Sequence, residues 1–369
     1  MNLTSLRSRL DFRVLFQWPV LLALSGVFTF LALRLQIPAE AMFGPLVASL
    51  IFALSGRSRV KVPPLFYVWA QAVIGLHLSA RFDGAALKPA LHGWWMILLI
   101  TLVTTAGSVG LGLLFGKLMR IHASTAAMGM IAGGSAGIVA TSDSLGADPR
   151  LVTYMQYLRL VLVVLATPLV VKLMGGHLHF VGTVDPEVGG HGTGVLLWDA
   201  LIAVGIIIGG GYLGVRSRFP GGALIFPLVL GVLAASVLHL HGVWLPEVAT
   251  EASFAVFGWY IGLQFDPQAV RTMARFTPAL VGFVLVMMAV SAVLGVILAR
   301  VIGVDLMTGY LATTPGGINA VTVTSMSAGT NTTLVVAVQT VRLLATLLLG
   351  PPLVGWWTRR MNISASQPA

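Results

Sequence analysis

The chain has 369 residues, of which 57% are hydrophobic and only 9% charged, and it has no cysteine. An ordinary soluble domain carries about 25% charged residues, so the composition excludes a soluble enzyme, a nucleic-acid-binding domain and a disordered chain. The lack of Cys excludes disulfides and thiolate metal sites. The net charge of +10 sits in loops between apolar runs, which marks a polytopic helical membrane protein rather than a DNA-binding surface.

The polar start MNLTSLRSRLDFR runs into a full-length apolar segment, with no cleavable signal. In chain order the predicted elements are 15–35, 40–56, 64–80, 92–118, 124–145 and 150–174, then 195–215, 221–240, 250–265, 275–300, 306–328 and 333–357. The two sets match in order. The block around Pro38, Ala41, Pro45 and Leu46 pairs with Pro220, Ala223, Pro227 and Leu228. Ile74-Gly75-Leu76 pairs with Ile261-Gly262-Leu263. Ala132, Gly134 and Ile138 pair with Ala312, Thr314 and Ile318, and Gln156, Arg159 and Pro168 pair with Gln339, Arg342 and Pro351. Chance does not give four blocks in one order. The expected organisation is a first membrane repeat over 1–175, an external linker over 176–194 and a second repeat over 195–369.

Basic residues stay on the cytoplasmic side of a membrane. Arg7, Arg9 and Arg13 place the N-terminus inside. Arg57, Arg59, Lys61, Lys117 and Arg120 follow in the first half, and Arg216, Arg218, Arg271 and Arg275 in the second. These clusters follow opposite elements in the two halves, so the halves read as inverted. Inversion needs an odd number of crossings per half, and one of six elements must fail to span. The fifth carries Gly133-Gly134-Ser135-Ala136-Gly137 in one half and Pro315-Gly316-Gly317 in the other, residues that break helices. The predicted fold is all-α, with about ten transmembrane helices and two Gly-rich re-entrant hairpins. Broken crossing helices are the alternative.

The stretch from Gly133 to Val152, followed by Gln156 and Arg159, with its second copy Thr314-Pro315-Gly316-Gly317, resembles the AbrB membrane family. That family is known as a duplication in Gram-negative bacteria and is also described as an ammonia monooxygenase. The first copy has Gly-Gly-Ser where the family has Pro-Gly-Gly, and Val139 and Asn319 replace the family's acidic residue after the motif. More loosely, the architecture looks like elevator-type secondary transporters.

Two broken segments would bring short helix N-termini and free amides to mid-membrane, a ready anion site. The candidate substrate-binding residues are Gly133, Gly134, Ser135 and Gly137 in the first copy, and Thr314, Pro315, Gly316, Gly317 and Asn319 in the second. To these are added Gln156, Arg159, Gln339 and Arg342 on the sixth elements. A membrane-buried charge is costly and takes a partner or a cavity. The arginines therefore read either as ligands for an anion or as caps for hairpin carbonyls. Asp143, Thr322 and Ser325 are candidates for ion coupling, with Asp143 reading equally as a helix cap. His177, His179, His239 and His241 form two isolated pairs, so a metal site and an oxygenase are disfavoured, and no ATP motif is present. The expected function is secondary transport of a small anionic solute by alternating access, with no catalysis and no cofactor. The alternative is a membrane-bound regulator acting indirectly on gene expression. Expected partners are the solute, a coupling ion, the lipid bilayer and a second copy in a homodimer, without nucleic acid. Expected location is the inner membrane, with both termini cytoplasmic.

Overall fold

The computed structural model describes residues 12–56, 58, 60–80, 88–133, 135–174, 193–219, 221–237, 245–265 and 267–360. Gly134, the linker up to His191 and the His177, His179, His239 and His241 pairs lie outside the described residues. The described residues form helices and no strand. In order these are α1 (Phe12–Arg34), α2 (Glu40–Leu54), α3 (Pro64–Ala80), α4 (Lys88–His92), α5 (Trp94–Met119), α6 (Ala123–Met130), α7 (Ser135–Ser142) and α8 (Pro149–Leu173). Then come α9 (Thr193–Arg216), α10 (Gly222–Val237), α11 (Glu247–Gly262), α12 (Pro267–Met273), α13 (Thr277–Ile302), α14 (Leu306–Thr313), α15 (Ile318–Ser327) and α16 (Thr332–Arg360). The predicted segments all reappear. The short helices α4 and α12 were not foreseen, because five and seven residues carry no readable period.

Among the described residues five helices are long and apolar enough to cross a bilayer: Gln17–Arg34 of α1, then α5, α8, α13 and Thr332–Trp357 of α16. Their outer faces expose Leu22 and Phe30 on α1, Leu98 and Leu102 on α5, and Leu285 and Val293 on α13. Apolar surface of that extent belongs against acyl chains, not water. Trp94, Trp95, Trp198, Trp356 and Trp357 are exposed at helix ends, as interfacial anchors should be. Trp18 instead packs edge-on against Trp259, at 5.8 Å.

The helices sort into two groups. α1, α2, α3, α9, α10 and α11 pack together, and α4–α8 pack with α12–α16. Contact between the groups is sparse and runs chiefly through α11, which touches α8 and α15. That seam is apolar: Met42, Leu46, Ile74 and Phe257 of one group share a core with Val161, Val164, Ile318 and Val323 of the other.

Helix boundaries recur along the chain. α5 and α13 start at 94 and 277, α6 and α14 at 123 and 306, and α8 and α16 at 149 and 332, each pair 183 residues apart. Corresponding helices also meet head to tail. Tyr67 and His77 of α3 face Tyr260 and Thr250 of α11, so their numbers run in opposite senses. Phe115, late in α5, packs on Phe283, early in α13, with centroids 5.4 Å apart.

Close helix approach holds the first group. A Cβ on Gly75 of α3 would overlap the Leu224 carbonyl of α10, and one on Gly258 of α11 would meet the Met42 carbonyl of α2 at 2.5 Å. The outer faces differ. Gly107, Gly110, Gly205 and Gly209 have no neighbour within 4 Å of such a Cβ, because they lie on the outer sides of α5 and α9. Gly75→Leu is therefore expected to lower the melting temperature of detergent-solubilised protein by several degrees, at roughly 1–3 kcal/mol for overpacking. Gly107→Leu should leave it near the parent value, and equal melting of the two variants would contradict the packing described.

Candidate functional site

Two helices are interrupted in the buried interior. α6 stops at Met130 and the chain turns extended at Ile131 (φ −56°, ψ 124°). α14 stops at Thr313, and Thr314 does the same (φ −57°, ψ 133°), as a residue before proline must. After the break Gly133 and Gly317 take φ of 137° and 80°, which side chains disfavour. Each break leaves helix-end carbonyls without intrahelical donors.

The same two residue types fill both vacancies. Gln156 of α8 donates Nε2–H bonds to the Met128 and Ile131 carbonyls, at 2.7 and 3.0 Å. Gln339 of α16 does so to Leu311 and Thr314, at 2.9 and 3.1 Å. One terminal guanidinium nitrogen of Arg159 donates to the Ile131 carbonyl. That of Arg342 donates to Thr313 and Thr314, at 2.8 and 2.7 Å, and its other terminal nitrogen reaches Gln339 Oε1 at 2.7 Å. Both arginines are buried, 2% and 4% exposed. Of the two readings open in the sequence, the capping of carbonyls is the contact present here. The Nε of each arginine is buried without a hydrogen-bond partner, and the two charges repel each other.

Outer ties close each broken segment. The Asp148 amide donates to Thr125 Oγ1 at 2.9 Å, and the Asn331 amide donates to Thr308 Oγ1 at 3.1 Å. The chain thus leaves each segment beside the place where it entered. Each tip packs on the long helix of the other half: Gly133 lies against Thr346 of α16, and Gly316 against Val163 of α8. Beside the second tip a crevice lined by Val164, Thr167, Gly316, Ala320, Val321 and Thr324 is too narrow for a water molecule.

The remaining candidates separate. Thr322 and Thr314 hydroxyls donate to carbonyls of their own helices, Ile318 at 2.6 Å and Tyr310 at 2.8 Å. Ser325 bonds to Thr330 and Thr332, at 2.6 and 3.0 Å. Asp143 is exposed in a short 3₁₀ turn. The helix cap is Asp148, which accepts from the Arg150 and Leu151 amides ahead of α8, so the capping alternative for Asp143 is corrected. Pro315 is buried in the turn between α14 and α15, and Ser135 and Gly137 belong to α7. Asn319 is the exception: its Nδ2–H donates across the seam to Tyr67 Oη of α3, at 2.8 Å.

Tyr67 brings with it a cluster that the sequence reading missed. It stacks on Tyr260 of α11, with centroids 3.8 Å apart and planes at 17°, and meets Phe257 edge-on. Tyr260 bonds Gln264, and Tyr157 of α8 lies within electrostatic reach of it. Three of the six tyrosines thus gather by the second tip. Among the described residues no group of three or more His, Asp or Glu side chains is placed to hold a metal.

Comparison with known proteins gives a consistent picture. The profile of the family described as "Transition state regulatory protein AbrB" matches residues 4–93 and 85–358. A protein of Escherichia coli (strain K12) named "Putative regulator AbrB" is 31% identical over 341 residues, which cover 91% of this chain and 94% of that protein. A Bacillus subtilis (strain 168) protein, "Uncharacterized protein YhjN", is 24% identical over 302 residues, 76% of each chain.

Removing Arg342 would leave the Thr313 carbonyl and Gln339 Oε1 short of donors, at about 1–3 kcal/mol for each buried group. Arg342→Ala should lower the melting temperature by several degrees. Because Arg342 also donates to Gln339 Oε1, a bond that either single variant already loses, Gln339→Leu with Arg342→Ala should cost less than the two losses added. Strict additivity would show that the pair does not act as one cap.

Proposed function

The chain belongs to the AbrB family, and we propose that it is a secondary, ATP-independent transporter of a small anionic solute. The observation that carries this reading is the pair of buried guanidinium groups, Arg159 and Arg342, which repel each other and have no acidic partner among the described residues. Helix C-termini offset only about half a charge each, and the N-termini of α7 and α15 add positive potential beyond the breaks. The centre therefore calls for an anion.

On this reading residues 1–175 and 195–369 are inverted repeats, and the broken segments are re-entrant hairpins entering from opposite faces. The head-to-tail pairing of α3 with α11 and of α5 with α13 supports the inversion. The ties at Thr125 and Thr308 support the re-entry. The end of α5, α12 and the start of α13 share one cluster through Met119, Met273 and Phe276. Lys117, Arg120, Arg271 and Arg275 therefore crowd one face, which we take as cytoplasmic, in the inner membrane with both termini. The sparse, apolar seam between the helix groups suits a sliding movement that gives alternating access.

The name of the Escherichia coli relative favours a second reading, a regulator. In that case the same centre would sense its solute without moving it, and any effect on gene expression would be indirect. Flux separates the two. In proteoliposomes free of ATP, counterflow of radiolabelled acetate, succinate or benzoate is expected with the parent chain. Gly317→Val, which forces a side chain into φ 80°, is expected to abolish it. Specific binding with no flux of any of the three would favour the sensor. For topology, single cysteines at Lys117 and Arg275 should be labelled from one side and a cysteine at Glu247 from the other. Labelling of all three from one side would overturn the inverted arrangement.

A further inference from the structure

The two breaks share their caps but not their side chains. The helix starts set the two breaks in register 183 residues apart, three more than the sequence blocks suggest, and in that register the first carries Met130, Ile131, Ala132, Ala136 and Val139 where the second carries Thr313, Thr314, Pro315, Asn319 and Thr322. Polar chemistry is concentrated at the second. There α15 starts at Gly317 with no side-chain cap, so its first-turn amides lack intrahelical acceptors. Arg342, 4% exposed, is anchored on the Thr313 and Thr314 carbonyls of the same break, and its Nε–H has no partner. Two independent features of the second break thus carry donors without an acceptor, the α15 amides and the Arg342 Nε–H. Asn319 Oδ1 is also buried without a partner.

The other side of this place is aromatic and comes from the opposite helix group: the stacked Tyr67 and Tyr260, with Phe257 at their edge. Leu160, Val163, Val164 and Ile318 surround the tip with hydrocarbon. In the closed arrangement the Asn319–Tyr67 hydrogen bond, 2.8 Å long, holds the tip against the wall.

We propose that the solute site is built jointly from the start of α15 and this aromatic wall, and that it selects a small organic monocarboxylate with a flat apolar body. The proposal rests on the anion reading above and narrows it. The carboxylate takes the α15 amides and the Arg342 Nε–H, and the body lies along Tyr260. Tyr67 gives up Asn319 as the solute enters. An inorganic anion leaves the wall unused. A dicarboxylate must bring its second charge either to hydrocarbon or to Arg159 beside the apolar first break.

The test is binding to the full-length, detergent-solubilised chain, with benzoate, acetate, succinate and chloride as probes. Benzoate is expected to bind about tenfold or more tighter than the other three, since an aromatic contact at a desolvated site supplies that much. Tyr260→Leu should remove the benzoate preference while leaving acetate binding unchanged, and Tyr260→Phe should keep it. Size-exclusion profiles control for folding, and the probe ranking on the parent chain tests the proposal even if Tyr260→Leu fails to fold. Equal binding of benzoate and acetate would overturn the wall. Succinate binding tightest, and weakened by Arg159→Gln, would replace the monocarboxylate with a dianion bridging both arginines and leave the anion reading intact. Binding of none of the probes would overturn the inference and the anion reading together.

Discussion

The structure depends on the capture of helix-end carbonyls by side chains from a neighbouring helix. Interrupting α6 and α14 frees carbonyls in the buried interior, and each one left bare there costs about 1–3 kcal/mol. Gln156 with Arg159, and Gln339 with Arg342, cover them from α8 and α16. The requirement runs both ways. A guanidinium at this depth is itself too costly without acceptors, and the helix C-termini supply oxygens at the negative end of their dipoles. Neither the broken helices nor the arginines would persist alone.

This mutual support fixes where the remaining polar chemistry falls. Hydroxyls on α15 bond back to carbonyls such as those of Ile318 and Ala320 and so are spent on their own helix. Asn319 sits in the first turn, where the carbonyl four residues back lies outside the helix, and instead reaches Tyr67 across the seam. The seam contrasts with the interior of the first helix group. There Gly75 and Gly258 let backbones touch, which makes α2, α3, α10 and α11 a tightly joined body. Contact between the groups is made by side chains such as Phe257 and Val164, which can exchange neighbours without breaking backbone hydrogen bonds.

Much of this was legible in the sequence. Apolar runs located the long helices to within a few residues, and Gly133 and Pro315-Gly316-Gly317 marked both breaks, because helix interruption is a local property of backbone chemistry. The arginines were visible as costly charges, but not what they bond. The acceptors lie 28 and 29 residues away and are main-chain oxygens, which no residue type announces. The Tyr67–Tyr260–Asn319 cluster was invisible for a related reason: its members come from α3, α11 and α15, and Tyr67 has no counterpart in the second half. Nor does a glycine carry any sign of which side of its helix it occupies: Gly75 meets a neighbouring backbone, while Gly107 and Gly205 face outward.

On the transporter reading, the same arginines set the electrostatics of movement. An empty centre carries two guanidinium charges near each other, and α6 and α14 offset only part of them. Moving one net elementary charge across a membrane is worth about 2.3 kcal/mol per 100 mV, so the empty form is held toward the negative side and its passage resisted. At the site proposed above, a bound monoanion removes one charge beside the second break, where Arg342 is anchored on the Thr314 carbonyl. It also competes for the Asn319 contact that ties the tip to the aromatic wall. Neutralisation and unlatching then follow from one binding event. The free energy that favours the loaded form's movement comes from charges the fold already needs to close its broken helices.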